Sequence, residues 1–179
     1  MKKIVLLFTT IIGLTIRVFS QAPTPIVPDS ILQGEIGKNV KLHNTKIYGL
    51  KGYVYVNEGG VLEIEPGTII VGDEPGTNSA LIINRGGKII AEGTRKDPIV
   101  FTSKATAGQR ARGDWGGVII CGKARTNHPG GQAAIEGGIA DATTGGKGWF
   151  GGTDDNDNSG ILKYVRIEYG GIAYQPNNE

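Results

Sequence analysis

Asn57-Glu58-Gly59-Gly60-Val61-Leu62-Glu63-Ile64-Glu65-Pro66-Gly67-Thr68 returns as Asn84-Arg85-Gly86-Gly87-Lys88-Ile89-Ile90-Ala91-Glu92-Gly93-Thr94, with the two Asn 27 residues apart. A period of that size belongs to stacked units, none of which can bury its apolar side alone. These units carry strands. Tyr53-Val54-Tyr55-Val56 and Val61-Leu62-Glu63-Ile64-Glu65 alternate in character, and Thr68-Ile69-Ile70-Val71 follows a Pro-Gly turn, the pattern of short strands between tight corners. No helical stretch long enough for a crossover separates them, so a flat parallel sheet is disfavoured. A coil in which each strand pairs with its counterpart one turn later needs no crossover. The expected fold is therefore all-β, a parallel β-helix.

Aligning the copies assigns the inner positions. Val54 and Val56 map onto Leu81 and Ile83, and Leu62 and Ile64 onto Ile89 and Ala91. These positions stay aliphatic while their neighbours change, as when Glu58 becomes Arg85 and Glu63 becomes Ile90. The unit recurs at Pro98–Thr102, at Asp114–Ile120 and at Leu162–Glu168, where Val165 and Ile167 are expected to point in and Tyr164, Arg166 and Glu168 out. Asn57 and Asn84 would stack at a corner. There they are either a short amide ladder or ordinary turn residues, since Asn suits both.

The 30 Gly fit many sharp turns, because Gly takes positive φ without a Cβ clash, and their lack of a three-residue period excludes collagen. The 19 basic and 17 acidic residues are interspersed, so no basic stripe supports nucleic-acid binding. Cys121 is the single cysteine and has no internal disulfide partner. Residues 1–20 read as a signal peptide: Met1-Lys2-Lys3, an apolar run from Ile4 to Ile16, then Val18-Phe19-Ser20 before a cut at Gln21. The rival reading, a membrane anchor, needs roughly 20 apolar residues, and Arg17 ends this run well short of that. Export to the cell surface or the outside, with no membrane span after signal removal, is the expectation. Residues 21–50 then read as a Pro-rich linker and N-terminal lead-in or cap, and 51–179 as rungs with loop insertions at about 104–113 and 125–160.

Tyr48–Val56, Ile64-Glu65-Pro66-Gly67-Thr68, Pro98–Ser103, Gly113-Asp114-Trp115-Gly116-Gly117 and Tyr164–Tyr169 form an ordered series. Together they resemble the N-terminal part of the secreted right-handed parallel β-helix proteins of Bacteroidetes, some of which are type IX secretion cargo. The resemblance spans roughly Ile47 to Glu179 and implies the right-handed fold and export; it brings no catalytic residues. Those relatives are longer, and here the series stops at Tyr174–Glu179. The expectation is a solenoid incomplete at its C-terminus, whose open rung stacks on further rungs.

Asp155, Asp157 and Ser159, followed by Gly160, match the first half of a calcium loop. The closing bidentate Glu is replaced by Arg166, and a strand rather than a helix follows. The plain alternative is a solvated Asx-turn loop. No other cofactor is expected. His43 and His128 have no second metal ligand near in sequence, and no Gly-rich phosphate loop joins a strand to a helix. Glu63, Asp114, Glu136 and Glu168, with Arg110, Arg112 and Arg166, form no recognised catalytic motif and read as solvated or turn residues; Arg166 and Glu168 share one strand face and suit an ion pair. Trp115 is expected to cover an end or edge of the core, and Trp149-Phe150, flanked by Gly, is either a docked plug or a sugar-stacking platform. Two functions follow: an exported, non-enzymatic scaffold or binding module that contacts extracellular polysaccharide or a surface protein, or a fragment of a carbohydrate-active lyase or hydrolase.

Overall fold

Gly corners and apolar alternation produce a coil of stacked turns. The computed structural model describes residues 23–136, 140 and 146–172. The expected signal segment and Tyr174–Glu179 lie outside the described residues. The chain is already coiling at Ser30, inside the stretch expected to be a lead-in. The first turn holds β1 (Ser30–Ile36) and β2 (Asn39–Leu42), and the second β3 (Ile47–Val56) and β4 (Val61–Ile64). The third holds β5 (Ile69–Val71), β6 (Ala80–Ile83) and β7 (Lys88–Glu92). The fourth begins with β8 (Ile99–Thr102) and β9 (Gly117–Ile120). It then detours through β10 (Gln132–Ala134) and β11 (Trp149–Gly151) and resumes at β12 (Gly160–Lys163). β13 (Val165–Ile167) opens a fifth.

Strands of successive turns pair in parallel and form three faces. The first runs through the N-terminal parts of β1 and β3, then β5, β8 and β13. The second runs through the C-terminal parts of β1 and β3, then β6 and β9. The third is β2, β4, β7 and β12. β1 and β3 each bend across two faces. Gly52 takes φ 61° at the bend in β3, a left-handed conformation in which a Cβ is strained. This architecture is a parallel β-helix.

The inner rows are continuous. Val54, Leu81 and Val118 stack on the second face, as do Val56, Ile83 and Ile120. Leu62 stacks on Ile89, and Ile64 on Ala91. All eight positions assigned inward in the duplicated unit are at most 2% exposed. Ile120 and Leu162 on the fourth turn continue these rows and Ile167 on the fifth follows Phe101, yet all three remain more than a third exposed. No described residue forms a turn above them. Val165 packs against the core as expected.

Trp115 is not at an end of the core. It is fully buried, its ring lies 6.4 Å from that of Phe101 at 12°, and its Nε1–H donates to the Glu168 carbonyl at 2.8 Å. Room for it exists because position 72 is glycine: a Cβ there would lie 2.5 Å from the Trp115 Cβ. Asp114, expected to be a solvated or turn residue, is buried as well. Its carboxylate accepts from the Ser103 hydroxyl and from the Ala111 N–H at 3.0 Å, which closes the loop between β8 and β9.

Candidate functional site

The duplicated Asn-x-Gly-Gly corner is where the fold makes a site. Gly59 and Gly86 take φ 78° and 77°. Gly60 and Gly87 press against the preceding turn, so that a Cβ at Gly87 would sit 2.2 Å from the Val56 carbonyl oxygen. Only glycine tolerates either demand. With the backbone so fixed, the two Asn side chains stack. Asn84 Nδ2 donates to Asn57 Oδ1 at 2.7 Å, and Asn57 Nδ2 donates to Glu35 Oε2 at 2.7 Å. The amide ladder is present. At its upper end Asn84 Oδ1 accepts the buried Gly148 N–H at 3.0 Å. At its lower end Glu35 Oε1 accepts from Lys147 Nζ, which also lies 5.4 Å from the centre of the Tyr55 ring. Neighbouring residues of the insertion therefore grip both ends of one ladder that crosses three turns.

The insertion between β9 and β12 folds back over the second face. β10 and β11 form an antiparallel pair, with Ala133 opposite Phe150 and Ala134 opposite Trp149. Ile135 and Phe150 join Tyr53, Tyr55 and Ile119 in packing against the buried cluster of Ala80, Ile82 and Cys121, outside the central core. Ile82 is fully buried although it points away from the central core. Cys121 belongs to this second cluster, and burial pushes its thiol up to about 11 against the opposing charge of Arg85. Of the two readings for Trp149-Phe150, Phe150 takes the docked one.

Polar straps fasten the same insertion. Arg85 Nη1 donates to Gln132 Oε1 at 2.7 Å and to the Gly151 carbonyl at 3.2 Å. Lys123 meets Glu58 at 2.6 Å. Arg125 Nε donates to both oxygens of Asp155, at 3.0 and 2.8 Å. Each carboxylate is held below its ordinary range chiefly by its cation: Glu35 by Lys147, then by Asn57; Glu58 by Lys123; Asp155 by Arg125, which is itself pushed up. These groups are solvent-exposed, so the straps position more than they stabilise.

Between the ladder corner and the insertion lies an open cleft of about 460 Å³, lined by Glu58, Asn84, Arg85, Lys123, Lys147 and Asp154 among others. Its wall carries both donors and acceptors. Sequence reasoning had singled out Asn84 at a corner, but not Arg85, Lys123 or Lys147 as wall residues. The corner duplication pointed to Arg85; nothing local points to Lys147.

The expected calcium residues sit at the base of the insertion. Asp157 Oδ2 accepts from the Lys123 N–H at 2.9 Å and from the Ser159 hydroxyl at 3.2 Å, while Asp155 faces Arg125. Asp157 and Ser159 are thus brought together. Among the described residues no group of three or more His, Cys, Asp or Glu converges as a metal cage. The remaining carboxylates are held in separate places. Glu63 pairs with Lys41 on the third face at 2.7 Å, Glu168 pairs with Arg166 and accepts from Thr102, and Glu136 lies exposed on the insertion. Arg110 is used locally, donating to the Ala105 carbonyl, and Arg112 is exposed. His43 lies 3.2 Å from Glu65, and His128 is on the insertion. No helix among the described residues is long and apolar enough to cross a membrane.

A family model described as a pectate-lyase like β-helix domain matches residues 34–179. The chain belongs to that family. In this pectate-lyase like β-helix the match begins within β1 and takes in the Asn corners, the insertion and every later turn. No curated protein and no solved structure matches the chain.

Proposed function

We propose that this chain is an exported β-helix binding module that contacts glycan through the cleft beside the Asn57/Asn84 corner, with no catalysis of its own. The cleft carries the reading. Its wall interleaves Arg85, Lys123 and Lys147 with Glu58 and Asp154, and sugar hydroxyls, which both donate and accept, pair with such a surface. The walls are pre-organised, because the ladder, the ion pairs and the packed hairpin hold them before any ligand arrives. Resemblance to secreted β-helix proteins of Bacteroidetes supports export, as does the basic, apolar and small-residue order of positions 1–20.

Purified protein incubated with a panel of neutral and acidic polysaccharides is expected to retain one of them in affinity electrophoresis and to leave its chain length unchanged. Retention is expected to fall in Asp154→Ala. Absence of retention by any member overturns the reading. The family description favours a second reading, in which the protein is part of a carbohydrate-active lyase or hydrolase. New reducing ends, or unsaturated products absorbing in the ultraviolet, would establish that reading instead.

A further inference from the structure

The two residues of the Trp149-Phe150 pair face opposite ways, because successive strand side chains alternate. Phe150 is spent on the coil. Trp149 stands opposite Ala134 on the other side of the hairpin and lines a second, separate cavity of about 410 Å³ with His128, Pro129, Gln132 and Ala134. Its ring is only partly buried, although the other tryptophan, Trp115, is completely enclosed. We infer that this cavity is a subsite for a single pyranose unit, stacked on the Trp149 ring and hydrogen-bonded by His128.

Three observations support that ligand class. A flat, partly buried indole lines the cavity beside small apolar walls at Pro129 and Ala134, a surface that suits the C–H face of a sugar ring. The cavity edge is polar. His128 Nδ1 lies 3.2 Å from the Pro129 carbonyl oxygen, which fixes the ring at the cavity edge, where its two nitrogens are polar partners for a sugar hydroxyl. The platform is also rigid. Phe150 anchors β11 from below, and Arg85 holds Gln132 and Gly151 across the strand pair. The inference rests on the glycan-binding reading and adds to it a place, a ring and a ligand unit outside the ladder cleft.

The chain has two tryptophans, one enclosed and one in the cavity, so emission reports on this subsite. Cellohexaose, xylohexaose and tetragalacturonate are titrated into the intact protein while fluorescence and heat are recorded. At least one is expected to change the emission. Trp149→Phe is expected to bind with no emission change, and Trp149→Ala to bind about tenfold or more weakly. His128→Ala is expected to weaken binding several-fold. Circular dichroism checks that the variants fold, and Trp149→Phe, which keeps an aromatic face, decides the matter if Trp149→Ala does not. An emission change that persists in Trp149→Phe, or undiminished affinity in Trp149→Ala, overturns the subsite and leaves glycan binding standing. If none of the three sugars binds while a polysaccharide of the panel is retained, the subsite is overturned and glycan binding stands; if no polysaccharide is retained either, both fail.

Discussion

Asn84→Ala is the sharpest test of how the insertion is held. Asn84 is 6% exposed and makes two contacts of different character. Its Nδ2 donates to Asn57, which is itself half-buried, and its Oδ1 receives the buried Gly148 N–H at 3.0 Å. Losing the first removes one neutral hydrogen bond, worth about 1 kcal/mol. Losing the second leaves a backbone donor without its acceptor in a dry place, which costs about 1–3 kcal/mol. The sum is about 2–4 kcal/mol by the same reasoning. Asn57→Ala deletes the same inter-Asn bond and the bond to exposed Glu35 but leaves Gly148 its acceptor, so a smaller cost of about 1–2 kcal/mol is expected. Urea unfolding of both variants, read as a shift in midpoint at constant slope, gives the two costs. Amide exchange gives the location: Gly148 protection falls in Asn84→Ala and is kept in Asn57→Ala. Equal costs for the two variants, or a cost for Asn84→Ala below about 1 kcal/mol, would refute the idea that the ladder grips the insertion through Gly148.

Gly72→Ala drives a Cβ to 2.5 Å from that of fully buried Trp115, and overpacking of this kind costs about 1–3 kcal/mol, visible as a lower urea midpoint. Acid should loosen the insertion before the coil. Glu35, Glu58 and Asp155 all titrate below their ordinary values, so their contribution is complete above about pH 4–5 and is lost as pH falls through the depressed values. Amide exchange in β10 and β11 is expected to rise on acidification while the β4 and β7 amides stay protected; simultaneous loss would contradict this. For calcium at Asp155, Asp157 and Ser159, the ion must displace the Arg125 guanidinium. A millimolar calcium-dependent rise in melting temperature is expected to be larger in Arg125→Ala, and no shift in either protein discards the site.

The central core was legible because it is written twice. Leu62 and Ile89 keep their chemistry while Glu63 and Ile90 do not, and that contrast separates inside from outside without any structure. Tyr48, Ile70 and Phe101 also form one row, but loops of unequal length between β5 and β6 and between β8 and β9 break the period and hide it. Trp115 was misplaced for a related reason. Its burial depends on Gly72, a turn away, and no local pattern links the two. The second apolar cluster left a trace: Ala80–Ile83 is apolar at every position and all four are buried, the mark of a strand covered on both sides. What covers it could not be read, because Ile135 and Phe150 lie far along the chain. Lys147 and Glu35 are 112 residues apart and each looks like an ordinary surface charge.

The same distinction explains where binding chemistry can arise in such a coil. A strict solenoid repeats its environment each turn, so its outer faces tend toward rows of similar contacts, as where Lys41, Glu63 and Glu65 pair along the third face. Distinct donors and acceptors meet only where an excursion leaves one turn and returns across several others. Here that excursion leaves after β9 and touches the first turn through Glu35, the second through Glu58 and the third through Arg85. It converts the stacked Asn corners, which on their own would be a structural ladder, into one wall of a cleft. Its far side carries Trp149, which lines the second cavity. Under the proposed binding role, specificity would reside in the insertion, and the coil's part is to supply a surface stiff enough to hold it.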